Sequence, residues 1–176
     1  MEKKPSVLLV SLGYGVIVSL AMVVLSLILF LLNLDNKSGL EWLSYLILVG
    51  GIWLAQINYR NKYLGGFISF GQSFIVGMFI GLFVGIIMGI YTYVFFNFID
   101  PGAMEEAMTI AEQRMMDKGM TDMEIEQGMM MARKFSSAGM FTFFAVTGNF
   151  ILGMIFSLVT SIFVKKEDNS FGQPTM

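Results

Sequence analysis

The stretch Gly77-Met-Phe-Ile-Gly81-Leu-Phe-Val-Gly85-Ile-Ile-Met-Gly89 places a glycine at every fourth position of an otherwise apolar run. In a helix, residues four apart share one face, so these glycines form a continuous ridge that carries no side chains. Lipid gives apolar helices no hydrophobic reason to associate, and small residues therefore mark where membrane helices approach closely. The stretch predicts a membrane-embedded helix that packs tightly against another helix.

The ridge extends towards the N-terminus, because two serines continue the same spacing. The predicted helix-packing interface consists of Ser69, Ser73, Gly77, Gly81, Gly85 and Gly89. Small residues recur at the same spacing in other apolar segments, for example Ser11 with Gly15 and Gly153 with Ser157. Two interpretations remain open: the ridge packs within one helical bundle, or it binds a second copy of the chain or another membrane protein.

The composition extends this prediction to the whole chain of 176 residues. It is 56% hydrophobic with a mean hydropathy of +0.72, far above the roughly 45–50% apolar content of soluble domains. The alternating pattern of barrel strands is missing, so helices must cross the bilayer. We predict an all-α, polytopic protein with one membrane domain and four transmembrane helices, at about residues 7–32, 42–59, 67–98 and 138–164.

The third apolar segment is longer than a hydrocarbon core of about 30 Å requires. The excess has two explanations. The first turns, Gly66 to Phe74, run along the membrane interface with Phe67 and Phe70 on one face, or the whole helix is tilted.

Residues 99–137 predict a helical hairpin between the third and fourth transmembrane helices. Asp100 before Pro101 indicates a helix start, and Gly119 a helix end. Thr121 with Glu124 forms a capping box that opens a second helix. A short flexible tail, residues 167–176, follows the fourth transmembrane helix.

Lysine and arginine in the short flanks predict the orientation. Lys3 with Lys4, Arg60 with Lys62, and the pair at residues 165–166 all fall on one side if four helices cross. Basic residues concentrate in short cytoplasmic loops, so we expect both termini in the cytoplasm and the hairpin outside.

The residue inventory argues against most catalysis. The chain contains no cysteine and no histidine, which excludes thiolate and imidazole chemistry. The central parts of the four segments carry no ionisable residue, so ion-coupled transport is disfavoured. We expect no enzyme activity, no cofactor, no metal site and no nucleic-acid partner. The intramembrane polar residues predict hydrogen bonds between helices: Gln56, Asn58, Gln72, Asn97, Thr147 and Asn149. Alternatively, a path for a neutral solute runs through Asn149, Thr147, Gln72 or Asn97.

Ten of the chain's 16 methionines lie between Met104 and Met140. Methionine is favoured at adaptable interfaces, and its helical spacing here predicts a face that lies on the membrane or on a partner. Thioethers also bind Cu(I), so a copper site is the alternative interpretation. The acidic residues of the hairpin are interpreted as a solvated face.

The segment from Gly65 to Phe74, preceded by Tyr59-Arg60, resembles a bacterial integral-membrane family known as domain of unknown function 4199. Ile99-Asp100-Pro101 and Ser157–Ile162 are similar to that family as well. The resemblance spans about residues 7–166 and implies a four-helix inner-membrane protein with an external helical insertion. It implies no activity and no site residue.

These observations support two hypotheses about function. The first is a non-enzymatic accessory or scaffolding subunit that contacts the lipid bilayer and a membrane-protein partner or a second copy. The second is a channel or carrier for a small neutral solute or lipid, formed between copies of the bundle.

Overall fold

The computed structural model describes residues 6–32, 34, 39–40 and 42–166. These residues form helical elements in the following order: α1 Val7–Leu31, α2 Trp42–Tyr63, α3 Phe70–Val94, a π-helical turn Phe95–Ile99, α4 Ala103–Asp117, α5 Asp122–Phe135 and α6 Ala138–Val164. The N-terminal lysines and the predicted tail lie outside the described residues.

Four elements are long and apolar enough to cross a membrane: α1, α2, α3 continued through the π-helical turn, and α6. Their outward side chains are apolar, with Ile17 exposed by 65%, Leu54 by 64% and Phe163 by 76%. Such a surface suits lipid, whereas water would disfavour it. The prediction of an all-α membrane protein with four transmembrane helices is confirmed.

The chain divides into two compact units, and the first comprises Met1–Ile87 with Thr147–Met176. Its core contains residues three or four apart on α2 and α3, so each helix turns one apolar stripe inward. Fully buried in this stripe are Leu48, Ile52, Val76, Ile80 and Val84.

The connection between α2 and α3 is set by two glycines with positive φ, Gly65 at 65° and Gly66 at 93°. The Gly66 N–H donates to the Arg60 carbonyl at 2.9 Å and so closes the end of α2, which glycine can do without strain. Ile68 then pairs with Lys166 through backbone hydrogen bonds of 2.9 and 3.0 Å.

The bounds of these two helices differ from the predicted ones for this reason. α2 continues to Tyr63 instead of ending near residue 59, and α3 begins at Phe70 instead of near residue 67. Contrary to the prediction, residues 66–69 are not helical, because Ile68 pairs with Lys166 just after the end of α6.

The second unit comprises Met88–Val146 and contains the helical hairpin. Asp100 Oδ1 accepts a hydrogen bond from the Ala103 N–H at 3.0 Å and so caps the start of α4. Gly119 has a φ of 71° and ends the helix, as its position in the sequence predicted. The hairpin closes tightly, since a Cβ on Gly128 of α5 would lie 3.1 Å from the sulfur of Met115 on α4.

Candidate functional site: a glycine ridge, a buried amide and a methionine groove

The predicted ridge on α3 lies largely in the interior. Ser73 and the four glycines at 77, 81, 85 and 89 are buried. Ser69 is exposed and precedes the helix, where its Oγ accepts from the Gln72 N–H at 3.3 Å. It caps α3 instead of continuing the ridge, because α3 starts one residue later.

Along the ridge, backbone faces backbone where Gly81 of α3 meets Gly153 of α6. A Cβ on Gly81 would lie 2.7 Å from the Gly153 Cα and 3.2 Å from the Asn149 carbonyl oxygen. Both neighbours are backbone atoms that cannot rotate away. The two helices therefore touch backbone to backbone, and a side chain would push them apart.

Neighbouring ridge positions are close to α6 as well. A Cβ on Gly77 would overlap Ser157, and one on Gly89 would lie 2.5 Å from Val146 Cγ2. The small residues of α1 are also used, since a Cβ on Gly15 would lie 2.7 Å from the Phe83 Cβ of α3. Helices of the same chain thus pack against the ridge at Gly77, Gly81 and Gly89.

The core of the first unit contains one polar side chain of α2 that is fully buried, Gln56. Its Nε2 lies 3.1 Å from the carbonyl oxygen of Ser73 on α3. The same nitrogen lies 3.2 Å from the hydroxyls of Ser157 and Ser161 on α6. One amide therefore joins three helices, as the sequence predicted for intramembrane amides.

The buried polar groups around Gln56 do not all find a hydrogen-bond partner. The Gln56 amide nitrogen has two hydrogens and three acceptors within reach. Within the described residues, Gln56 Oε1 and Ser73 Oγ are buried with no hydrogen-bond partner. Ser157 Oγ is better satisfied, because it also donates to the Phe74 carbonyl at 2.9 Å.

Two amides of the suggested solute path bond to their own segments. Gln72 Oε1 accepts from the Ser69 N–H at 3.1 Å, and Asn97 Nδ2 donates to the Tyr93 carbonyl at 2.8 Å. Both side chains are exposed. A third amide, Asn58, instead joins α2 to α1 by donating to the Tyr14 hydroxyl. Gln72 and Asn97 are thus engaged by the backbone of their own segments, and Asn58 by a neighbouring helix.

Arg60 of α2 makes a contact with the C-terminus of α6 that the sequence did not predict. Its Nη1 donates to the Val164 carbonyl at 3.0 Å, so the guanidinium caps the C-terminus of α6. A cation at this position also complements the helix dipole. Only its place in the basic flank was visible in the sequence.

The hairpin carries a groove between α4 and α5. Two cavities of about 360 and about 600 Å³ adjoin one another, because Glu112, Met129 and Arg133 line both. We call this continuous feature the α4–α5 groove. Its apolar floor is formed by the side chains of Met104, Met108, Met116, Ile125, Met129 and Met130.

Other methionines of the hairpin point outward. Met123 is exposed by 68% and Met131 by 62%, and Met130, which also lines the groove, by 54%. Within the part of the chain that the structure describes, His, Cys, Asp and Glu form no group of three or more able to hold a metal ion.

Glu124 completes the predicted capping box at the start of α5. Its Oε2 accepts from the Thr121 N–H and from the Thr121 hydroxyl, each at 2.8 Å. The backbone hydrogen bond first, and then the hydroxyl, lower the pKa of this carboxyl below its ordinary value of 4.5.

Spans of this length, joined by a glycine ridge and a buried amide, define a polytopic α-helical membrane protein. A family model described as "Protein of unknown function (DUF4199)" matches residues 13–166, and the chain belongs to that family. This confirms the resemblance seen in the sequence. No curated protein and no solved structure matches the chain.

Proposed function

We propose that the protein is a non-enzymatic accessory or scaffolding subunit of the bacterial cytoplasmic membrane. Both termini face the cytoplasm, and the hairpin of α4 and α5 lies outside, where it contacts a membrane-protein partner. The observation that carries this proposal is the outward methionine surface, with Met123 and Met131 exposed by 68% and 62%. Exposed methionine provides an adaptable apolar surface for a protein partner.

The same geometry favours a subunit over a channel or carrier. Gln72 and Asn97 are engaged with the backbone of their own segments. Gln56 is enclosed by α2, α3 and α6 and fully buried. A path for a neutral solute needs polar groups directed at a common passage, whereas these three amides bond to their own segments or to neighbouring helices.

Photo-crosslinking in native membranes tests the subunit proposal. A photo-reactive amino acid replaces Met130 in the hairpin, and a matched variant carries it at Leu20, which is exposed by 57% on α1. We expect protein adducts from position 130 and chiefly lipid adducts from position 20. If position 130 yields only lipid adducts or links within its own chain, the proposal is wrong.

Cysteine labelling tests the orientation, and the absence of native cysteine makes the background clean. A membrane-impermeant maleimide is added to intact spheroplasts that carry Met123→Cys or Lys62→Cys, both at exposed positions. We expect Met123→Cys to react at once and Lys62→Cys only after permeabilisation. The opposite pattern would invert the proposed orientation.

A further inference from the structure

The α4–α5 groove has the length of a short helix. It extends on α4 from Met104 to Met116, which corresponds to roughly 18 Å at the helical rise. This length accommodates about three turns of a second helix. Amphipathic helices commonly bind by laying an apolar stripe into such a groove.

The floor of the groove is adaptable. Five of its six apolar side chains are methionines, and the sixth is Ile125. Ile125 and Met129 are each only 7% exposed, so they form a fixed base, whereas Met116 is 49% exposed. Unbranched thioether side chains can adjust to different partner residues, so the floor favours an apolar stripe of leucine or aromatic side chains.

The rim of the groove is acidic. Four carboxylates and one guanidinium line it, a net charge of −3: Glu105, Glu112, Asp122, Glu126 and Arg133. An anionic lipid surface would be repelled by this rim. A wholly apolar helix would leave the carboxylates without partners as it displaced their water. A helix with basic residues on both sides of an apolar stripe matches the groove, because its charges pair with the rim carboxylates while its apolar stripe contacts the methionine floor.

We propose that the α4–α5 groove binds a basic amphipathic helix of the partner protein. The apolar stripe of that helix, at positions i, i+3 or i+4, and i+7, lies on the methionine floor. Its lysine and arginine side chains pair with Glu112 and Glu126 at the rim. This inference rests on the proposed function, for which it names the chemistry of the partner.

Binding of a probe peptide tests the inference directly. The full-length protein is placed in phosphatidylcholine nanodiscs, and a fluorescent 14-residue leucine–lysine helix is titrated by anisotropy. A leucine–glutamate peptide of the same pattern is the charge control, and empty nanodiscs correct for peptide bound to lipid. We expect saturable binding of the basic peptide only, weakened by salt because exposed charges are screened.

Matched variants locate the binding surface. Glu112→Gln with Glu126→Gln removes two rim charges, and Glu106→Gln with Asp117→Asn removes two exposed charges outside the groove. We expect the rim variant to raise the Kd of the basic peptide about two- to thirtyfold, as expected for two exposed ion pairs. The control variant should leave the Kd unchanged.

Three results would overturn the inference: equal binding of the acidic peptide, equal loss in both variants, or no saturable binding. A concentration-dependent dimer that the basic peptide does not displace would assign the groove to a second copy instead.

The photo-crosslink at position 130 separates the two proposals. Protein adducts that survive the rim substitutions contradict the basic helix and leave the subunit role intact. If no protein adduct forms at position 130 when the rim residues are unchanged, both proposals are contradicted.

Discussion

Replacing Gly81 with alanine tests the backbone-to-backbone contact between α3 and α6. The new methyl group would lie 2.7 Å from the Gly153 Cα, against an ordinary carbon contact of about 3.5–4.0 Å. Because the opposing atom is backbone, α3 and α6 must separate by roughly 1 Å. Overpacking of this kind costs about 1–3 kcal/mol, partly offset by up to about 1 kcal/mol of helix propensity gained over glycine.

Gly148→Ala on α6 is the matched control, since its added Cβ meets nothing within 4 Å. It gains the same propensity without the overlap, so the two variants should differ by about 1–3 kcal/mol in the free energy of unfolding. Unfolding in mixed micelles, followed by circular dichroism against the fraction of denaturing detergent, measures this difference.

A double-mutant cycle sharpens the test. Once Gly81→Ala has separated the helices, Gly153→Ala should cost less than it does alone, because the two residues share one contact. The reasoning is refuted if Gly81→Ala is as stable as Gly148→Ala, or if the two costs add without coupling.

Two further predictions concern polar groups. Gln56→Ala should lower the free energy of unfolding by about 1–3 kcal/mol, because it leaves buried oxygens without a donor. The control Gln113→Ala loses only an exposed hydrogen bond to Asp117 and should change the free energy of unfolding by less than about 0.5 kcal/mol. Equal effects in the same unfolding assay would contradict this prediction. The pKa of Glu124 is lowered in the fold, so its contribution to α5 is complete above the ordinary value of 4.5 and is lost as the pH falls through the lower folded pKa. Carbon-13 titration should therefore give a midpoint below 4.5, and Glu124→Gln, which keeps the capping geometry, should remove this pH dependence of α5; a midpoint at or above 4.5 would contradict it.

Much of the fold could be predicted because its signals are local. The spacing of Gly77 and Gly81 places both on one helix face whatever the partner, since the period of 3.6 residues belongs to the single helix. Likewise, Gly119 and the Thr121–Glu124 capping box act within a few residues of chain. Length and hydropathy were sufficient for the four spans.

The candidate site was predictable only in part. Gln56 stands out in the sequence as a polar residue in an apolar segment, and Ser157 and Ser161 as members of a small-residue ridge. That both serine hydroxyls lie within hydrogen-bond distance of Gln56 Nε2 depends on how α2 is rotated about its axis and how far it is shifted along α6. No local pattern specifies such a relation between residues about a hundred positions apart.

The sequence by itself thus determined that the described chain has four helices long and apolar enough to cross a membrane, a small-residue ridge on the third of them and a capped hairpin before the last. The tertiary structure alone decided that Gly81 meets Gly153, that Ile68 pairs with Lys166 and delays the start of α3, and that methionines and carboxylates of α4 and α5 enclose one groove. The physical reason is that helix formation depends on near neighbours along the chain, whereas the choice of contacts between helices depends on how complete surfaces fit together.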